Sequence, residues 1–187
     1  MISFAVLLRA VNVGPGLRVT SADLLGSADD AGFGAARTLL NSGNLVLSPG
    51  TSGATRPDEI ARLVQQHLSE RIGQEVSAVG LGADQLDAIA LANPFLAAAR
   101  NDPSHLQVHV PFGDLDAAGV ARLDLANPGR EMLATAAGVL YVHYMDGIGR
   151  SKLTGKAIDS AVGAPTTARN WNTISKLRAA CAELGSR

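Results

Sequence analysis

The sequence predicts an α+β fold, with a ferredoxin-like split βαβ N-terminal half and a smaller, topologically similar β-α-β-β-α C-terminal subdomain. Three observations support it. Apolar residues make up 47% of the 187 residues, which is enough to bury a core. Segments with strand periodicity alternate with segments of helical periodicity. The element order β-α-β-β-α-β of the first half also nearly returns in the second. We therefore expect two parts, residues 1–82 and 83–187.

The first half opens with a buried strand followed by a helix. Residues 3–8, SFAVLL, are a short apolar run that is typical of a buried strand. Thr20 and Asp23 have the spacing of a capping box, so we expect a helix to begin there. Gly32 is a plausible C-terminal glycine for that helix.

A hairpin, a second helix and a short strand complete the first half. The two arms of the hairpin are predicted at residues 37–40 and 45–48. Pro57 suits the first turn of the next helix, which has apolar residues at helical spacing and ends at Gly73. Residues 76–81 then form a short strand.

The second half repeats most of this order. Residues 83–92 are predicted to form a short helix, and residues 106–112 alternate as a strand does. The segment TTARNWNT is interpreted as a loop before the last helix. The remaining elements are a helix in LDAAGVARLDL, two strands in REMLATAAGVLYVHY, a helix in SKLTGKAIDSAV and the final helix in NTISKLRAACAEL.

Composition excludes several classes of protein. The formal net charge of −1 gives no support for a strongly basic nucleic-acid binder or a membrane-surface protein. Cys181 is the only cysteine, so an internal disulfide and a cysteine-based zinc site are excluded, and we expect a buried thiol. The run FAVLL is too short for a membrane span and lacks the basic segment of a signal peptide. We expect a cytoplasmic protein without membrane partners, and the oligomeric state stays open.

Four polar loops carry most of the glycine, asparagine, arginine and serine signals: LRAVNVG, NSGN, DGIGRSKL and TTARNWNT. They supply many hydrogen-bond donors and few acid–base pairs, a composition that suits recognition of phosphate or carboxylate. No cofactor is predicted. The predicted ligand-binding residues are Arg9, Asn12, Ser42, Asn44, Arg150, Ser151, Lys152, Arg169 and Asn170.

Topology brings the first two loops together. In a β-α-β-β arrangement the first two strands run in the same direction, so the loops that follow them share one edge of the sheet. Arg9 and Asn12 are then expected near Asn41, Ser42 and Asn44. The alternative is that the asparagines only satisfy the backbone of their own turn.

The other two loops precede predicted helices. Arg150, Ser151 and Lys152 are expected where a helix begins, and helix N-termini attract anions through free N–H groups. The alternative there is Ser151 as an N-cap beside two solvated bases. Arg169 and Asn170 are suited to a phosphate, a carboxylate or a base edge, and Asn170 is also a candidate cap.

Candidates for acid–base chemistry are fewer. Asp146 directly precedes GIGRSK, although Asp-Gly is also an ordinary turn. His109 and His143 lie on strands that are expected to be neighbours, so their rings are expected to lie close. Two histidines without a third ligand do not make a zinc site, and no metal is predicted.

The loop motifs together resemble one family. LLRAVNVG, NSGNLVLS, NPF, YVHYMDGIGRSKL and TTARNWNTISKL look like the bacterial family known as domain of unknown function 1697, across residues 4–177. The resemblance implies an α/β fold built on a ferredoxin-like N-terminal half and a smaller C-terminal subdomain, and no established activity. The chain departs from the usual family pattern at Ala10 and Val11, and at Leu39 and Asn41 in the hairpin.

Three hypotheses for function follow. The favoured one is an uncharacterised bacterial protein that binds an anionic ligand (a nucleotide, a phosphorylated metabolite or nucleic acid) at the donor-rich loops. Aromatic residues are only 4%, which counts against an RNA-binding sheet. The second is an enzyme that steadies negative charge with these loops and uses Asp146 or a histidine as acid or base. The third is a structural or interaction protein without a ligand.

Overall fold

The protein has a mixed α+β fold, as predicted, and the structure contains two antiparallel four-stranded sheets. The chain divides into two compact units. Unit 1 holds residues 1–87 together with 176–187, and unit 2 holds residues 88–175. No helix among the described residues combines the length and apolar character needed to cross a membrane. The structure, a computed structural model, describes residues 2–12, 16–40, 43–127 and 129–186.

Unit 1 is built on the first sheet, with strand order β2-β3-β1-β4 and every neighbouring pair antiparallel. Its last helix segment comes from the end of the chain, because α7 starts in unit 2 and ends in unit 1. The elements are β1 (Phe4–Arg9), α1 (Ser21–Asp30), β2 (Ala36–Thr38), β3 (Asn44–Leu47), α2 (Pro57–Ile72), β4 (Ser77–Gly82), the start of α3 (Ala83–Leu91) and the end of α7 (Trp171–Gly185).

The helix ends of unit 1 follow the predicted signals. The Thr20 hydroxyl accepts a hydrogen bond from Asp23 N at 3.1 Å, and the Asp23 carboxylate accepts one from Thr20 N at 2.9 Å. This reciprocal pair is the predicted capping box, and it satisfies donors that α1 would otherwise leave open. In α2, Pro57 is the first residue and Gly73 ends the helix with φ of 69°, so both predictions are confirmed.

The direction of the strands confirms the predicted meeting of two loops. β1 and β2 are each antiparallel to β3, so they run in the same direction and end at the same edge of the sheet. The loop after β1 and the turn after β2 therefore lie together, and Leu8 N donates a hydrogen bond to Gly43 O at 2.8 Å. Beneath them, apolar side chains of β1 and β3 pack with α1 and α2 in one core.

Unit 2 contains the second sheet, with strand order β6-β7-β5-β8 and antiparallel pairing throughout. Its core lies between this sheet and the helices α5 and α6. The elements are α4 (Leu96–Asn101), β5 (Leu106–Pro111), α5 (Ala117–Ala126), β6 (Met132–Ala136), β7 (Val139–His143), a 3₁₀ turn (Ile148–Arg150), α6 (Gly155–Val162) and β8 (Thr166–Asn170).

Two elements of unit 2 correct the prediction. β8 lies within the segment that was interpreted as a loop, and it pairs with β5 from Thr166↔Pro111 to Asn170↔Gln107. Its sequence TTARN lacks the apolar residues that indicate a buried strand, and tertiary pairing decides its conformation instead. α4 is also additional. With β8 included, the second sheet repeats the strand order of the first, so the C-terminal subdomain is β-α-β-β-α-β-α.

The expected closeness of the two strand histidines is wrong. His109 pairs with Leu140, whereas His143 pairs with Leu106, and residues directly opposite in a ladder share one face. Leu106 and His109 are three residues apart, so their side chains point to opposite faces of the sheet. The two imidazoles therefore lie on opposite sides of the second sheet.

Candidate functional site

The first candidate site is a cleft of about 440 Å³ in unit 1, between the loop after β1 and the hairpin turn. We call it the loop cleft. Of the predicted residues, Asn12 lines it, and Arg18 and the start of α1 contribute without having been predicted. The loop cleft is lined by Asn12, Arg18, Val19, Thr20, Ser21, Leu24, Leu40 and Gly43.

Asn12 holds its own loop closed. Its side-chain Nδ2 donates to Val19 O at 2.9 Å, and its Oδ1 accepts from Val19 N at 3.0 Å. The backbone of Asn12 has φ of 58°, a left-handed conformation that asparagine tolerates better than most residues. The amide therefore acts as a substitute for a backbone peptide across the loop.

Asn44 also bonds to the backbone. It is the first residue of β3 rather than a turn residue, its side chain is fully buried, and its Nδ2 donates to Leu39 O at 2.9 Å. Arg9 is half-buried at the end of β1, opposite Ser77. The predicted positions Asn41 and Ser42 lie outside the described residues.

The start of α1, beside the loop cleft, carries a negative charge. The hydrogen bonds from Thr20 hold the pKa of the Asp23 carboxyl below its usual range, so the group remains ionised. Asp23 does not line the cleft itself, but it is bonded to Thr20, which does, so its charge disfavours an anion near this helix start. Only one basic side chain, Arg18, lines the cleft within the described residues.

The second candidate site is a cleft of about 430 Å³ in unit 2, where the hairpin of β6 and β7 meets the loop that follows it. We call it the cation cleft. The predicted Arg150, Ser151 and Lys152 all line it, together with Asp146. Its lining residues are Gly129, Arg130, Glu131, Asp146, Arg150, Ser151 and Lys152.

The predicted helix start at Arg150–Lys152 is wrong. These residues end and follow a single 3₁₀ turn, and α6 begins only at Gly155. Thr154 is the N-cap, because its hydroxyl accepts from Ala157 N at 3.2 Å. Ser151 instead donates its hydroxyl hydrogen to Glu131. Any anion at this cleft would therefore meet side chains rather than a helix end.

The charges of the cation cleft are unequally paired. Arg130 Nη1 forms an ion pair with Asp146 Oδ1 at 3.0 Å. Glu131 accepts hydrogen bonds from Ser151 and from Asn127, and the bond from Ser151 is the main reason that the Glu131 pKa lies below its usual range.

Arg150 and Lys152 are both exposed. The backbone N–H of Arg150 donates to Gly147 O at 3.1 Å, but neither side chain forms a hydrogen bond or an ion pair with any residue that the structure describes. Each carboxylate of the cleft therefore has a partner, while two of its three cationic side chains remain open.

The predicted Arg169 and Asn170 are not among the residues that line either cleft. Arg169 is buried in β8, where its Nη1 donates to Thr167 Oγ1 at 2.9 Å and to Ala168 O at 2.8 Å. Burial lowers its pKa to about 10, so it stays a cation at neutral pH. Asn170 caps α7, because its Oδ1 accepts from the backbone N–H and the hydroxyl of Thr173, at 2.9 Å each.

His109 belongs to a buried polar network. Its Nδ1 lies 3.3 Å from the Thr166 hydroxyl, which itself donates to Asp159 at 2.8 Å. Because that hydroxyl hydrogen points to Asp159, Nδ1 must carry the proton and donate, and the buried Nε2 has no partner among the described residues. Burial lowers the His109 pKa to about 4, so the ring is neutral at pH 7.

His143 forms a different cluster, which we call the histidine pair: His105 and His143 on either side of Asp102. His143 Nε2 lies 3.0 Å from Asp102 Oδ2, and His105 Nδ1 lies 2.9 Å from Asp102 Oδ1. The hydrogen bond from His143, together with His105, lowers the pKa of the Asp102 carboxyl. The Phe95 ring packs 6.4 Å from the His143 ring.

Sequence reasoning missed Arg130, Glu131, Asp102 and His105. The first two were accessible, because residues just before β6 and just after β7 must lie at the same open end of a hairpin. Asp102 and His105 are only three residues apart, but the second partner of Asp102, His143, is 41 residues away, so no local pattern indicated that the three side chains meet. No group of three or more histidine, cysteine and acidic side chains suited to a metal ion occurs in the described part of the chain.

Comparisons with known proteins agree with this architecture. The family model described as "Protein of unknown function (DUF1697)" matches residues 1–141. No curated protein matches the sequence. A similar solved structure is that of the conserved bacterial protein SP0830 from Streptococcus pneumoniae, with a TM-score of 0.68 and 16% identity. That match covers 96% of this chain and 98% of the other, and at this identity it supports the fold alone.

Proposed function

The chain belongs to the family of proteins of unknown function DUF1697, and from that premise we propose that it binds a small phosphate-bearing ligand at the cation cleft of unit 2. One observation carries the proposal. Arg150 and Lys152 line the same cleft, and neither side chain has a partner in the part of the chain that the structure describes. A phosphate group fits such a pair, because charge-assisted hydrogen bonds to phosphate are short and strong.

The pairing of the carboxylates supports the same ligand. Asp146 is engaged by Arg130, and Glu131 is engaged by Ser151 and Asn127, so neither carboxylate neutralises the open cations. We therefore expect the cleft to distinguish ligands mainly by whether they carry a phosphate group, and less by their shape. Arg130 also stands at the rim, where a dianion would compete with Asp146 for its guanidinium.

The size of the cleft favours a small ligand. A volume of about 430 Å³ is within the range of sites for nucleotides and phosphorylated metabolites. A long nucleic acid would need a continuous basic surface, whereas the whole chain has a net charge of −1. We therefore favour a nucleotide or a phosphorylated metabolite over nucleic acid.

The test is calorimetric titration of the full chain with pyrophosphate and with ADP. In the double variant Arg150→Ala, Lys152→Ala, we expect affinity to fall about 100-fold or more, because each of the two lost charge-assisted bonds is worth about 1.5 kcal/mol or more. Neutral ligands such as adenosine should show no comparable difference between the two proteins.

The matched control is Arg62→Ala, Lys176→Ala. Both residues are exposed and lie outside the cleft, and the double variant removes the same net charge. It should bind as the wild type does. Equal loss of affinity in both double variants would show that only overall charge matters and would overturn the proposal, as would the absence of pyrophosphate and ADP binding by the wild type.

A second candidate function is an enzyme acting on the same class of ligand. It is favoured by Asp146, which lies in the cleft with Arg150, Ser151 and Lys152, as the enzyme hypothesis requires of an acid–base group beside donors. The enzyme hypothesis is tested by measuring the release of inorganic phosphate from ADP and from sugar phosphates. Turnover that falls about 100-fold in Asp146→Asn while binding persists would support it; binding without release would leave only the first function.

A further inference from the structure

The loop that forms one wall of the cation cleft contacts His105, one member of the histidine pair. Tyr144 N, at the start of that loop, donates a hydrogen bond to His105 O at 3.0 Å. The His105 ring lies beside Gly147, where a Cβ atom would stand 3.6 Å from the ring Nε2. Gly147 directly follows Asp146 and precedes the turn that ends at Arg150, so His105 contacts the loop between two cleft residues.

We propose that protonation of His105, which Asp102 orients beside this loop, strengthens the binding of an anion in the cation cleft. The inference rests on the proposed function and adds its regulation: the same site would hold its ligand more tightly in acid than at neutral pH. It assigns a role to a pair of histidines that the cleft itself does not include.

The geometry decides which nitrogen takes up the proton. Asp102 Oδ1 faces His105 Nδ1 at 2.9 Å, so that nitrogen carries a hydrogen in both charge states. Nε2 is then the site of protonation, and it is the atom on the Gly147 side. His105 is 42% exposed at its side chain, so its proton exchanges with solvent without any opening of the fold.

The charged groups around His105 allow its protonation to change the electrostatic potential at the cation cleft. From α4 it faces Asp102, whose lowered pKa keeps the carboxylate ionised through the range in which histidine titrates. From β7 it faces His143 across the same carboxylate. The loop beyond Gly147 carries Asp146, paired with Arg130, and then Arg150 and Lys152.

Imidazole is the side chain that takes up a proton most readily near neutral pH, and two imidazoles face the Asp102 carboxylate, those of His105 and His143. His143 is the more enclosed, with a side chain 14% exposed and packed against Phe95. His105 is the one beside the loop. Its added charge raises the positive potential at Arg150 and Lys152, and a doubly charged anion responds to it twice as strongly as a singly charged one.

The experiment titrates the full chain with sodium sulfate at pH 8.0 and pH 5.5, at constant ionic strength. Sulfate is the probe because its charge does not change over this range, unlike that of phosphate. We expect sulfate affinity to rise about two- to fivefold at pH 5.5 in the wild type. His105→Gln should retain the affinity measured at pH 8.0 within about twofold and lose the rise. His143→Gln should keep the rise in sulfate affinity at pH 5.5.

The control is His67→Gln on α2. His67 lies 4.0 Å from Glu70, so it is another histidine beside a carboxylate three residues away, in a unit that lacks this cleft. Its variant should keep the full rise. Sulfate binding without any rise, or a rise that survives in His105→Gln, would overturn this inference while the proposed function stands. No sulfate binding at either pH would also overturn this inference, whereas the proposed function is decided by the titrations with pyrophosphate and ADP.

Discussion

The loops of unit 1 and the cation cleft of unit 2 both gather asparagine, serine and basic side chains around glycines, but they use them differently. In unit 1, Asn12 and Asn44 bond to the backbone of Val19 and Leu39. In unit 2, Arg150 and Lys152 project into a cleft without a partner among the described residues. Donor-rich composition therefore does not by itself identify a site. What matters is whether folding leaves the donors open.

The interiors of the two units differ less than these loops do. The core of unit 1 around β1 is apolar, whereas the second sheet buries His109, Thr166, Thr167 and Arg169. Buried side-chain atoms without a hydrogen-bond partner among the described residues nevertheless occur in both units, as Arg37 Nε in unit 1 and as Asn93 Nδ2 and His109 Nε2 in unit 2. Each such atom costs free energy.

Asn44→Ala is the variant with the largest expected effect on stability. It tests whether this asparagine of unit 1 serves the fold rather than a ligand. We expect the free energy of unfolding to fall by about 2–3 kcal/mol, because the change removes a fully buried side chain and leaves the partly buried carbonyl of Leu39 without this donor. Urea unfolding of wild type and variant measures it. Anion binding should be unchanged.

Asn172→Ala is the matched control, since Asn172 is exposed on α7 and should change stability by less than about 0.5 kcal/mol. If Asn44→Ala left stability within that limit and abolished ligand binding instead, the loops of unit 1 would be a ligand site after all.

The second prediction concerns His109 and pH. Burial lowers the pKa of His109 in the folded state to about 4, from its ordinary value of 6.5. Between those two values the unfolded chain binds the proton and the folded chain does not, so stability falls as pH drops from 6.5 toward 4. At pH 5 the loss from this one group is about 2 kcal/mol relative to pH 7.5.

Urea unfolding at pH 7.5 and pH 5 tests this prediction. His109→Gln should shrink the difference in free energy between the two pH values by about 2 kcal/mol, because glutamine does not titrate. His67→Gln, at a less buried site on α2, should leave the difference nearly intact. An unchanged difference in His109→Gln would show that the ring is not buried in its neutral form.

The cleft cations should matter least to stability. Arg150→Ala with Lys152→Ala should change the free energy of unfolding by no more than about 0.5 kcal/mol, because both side chains are exposed and unpaired among the described residues. Thermal unfolding without ligand measures it. A loss above about 2 kcal/mol would place these residues with Asn44, as groups that the fold itself requires.

Local signals predicted the parts of the fold that depend on neighbours in sequence. The Thr20–Asp23 capping box, Pro57 and Gly73 act within one or two helical turns, so the elements they bound were predictable. The α+β class also followed, because the periodicities alternate along the chain. β8 did not, since TTARN becomes a strand only by pairing with β5.

The candidate site, like the fold, could be predicted from the sequence only in part. Arg150, Ser151 and Lys152 were identified by composition and do line one cleft, while Arg169 shares their composition and is buried in a strand. Burial of a charged residue depends on partners that the sequence does not place, here Thr167 and the backbone of Ala168. The histidine pair depends on a contact between a helix end and a distant strand, which no local pattern indicates.

The return of α7 to unit 1 has a consequence for synthesis of the chain. Ser3 Oγ donates to Cys181 O at 2.8 Å, and Arg37 donates to Ala180 O at 2.9 Å and pairs with Glu183 at 2.8 Å. Residues 1–87 leave the ribosome long before these partners exist, and domains generally fold as their residues emerge. The unit whose strands emerge first is therefore the one whose packing is completed last, after the whole of unit 2 has been made.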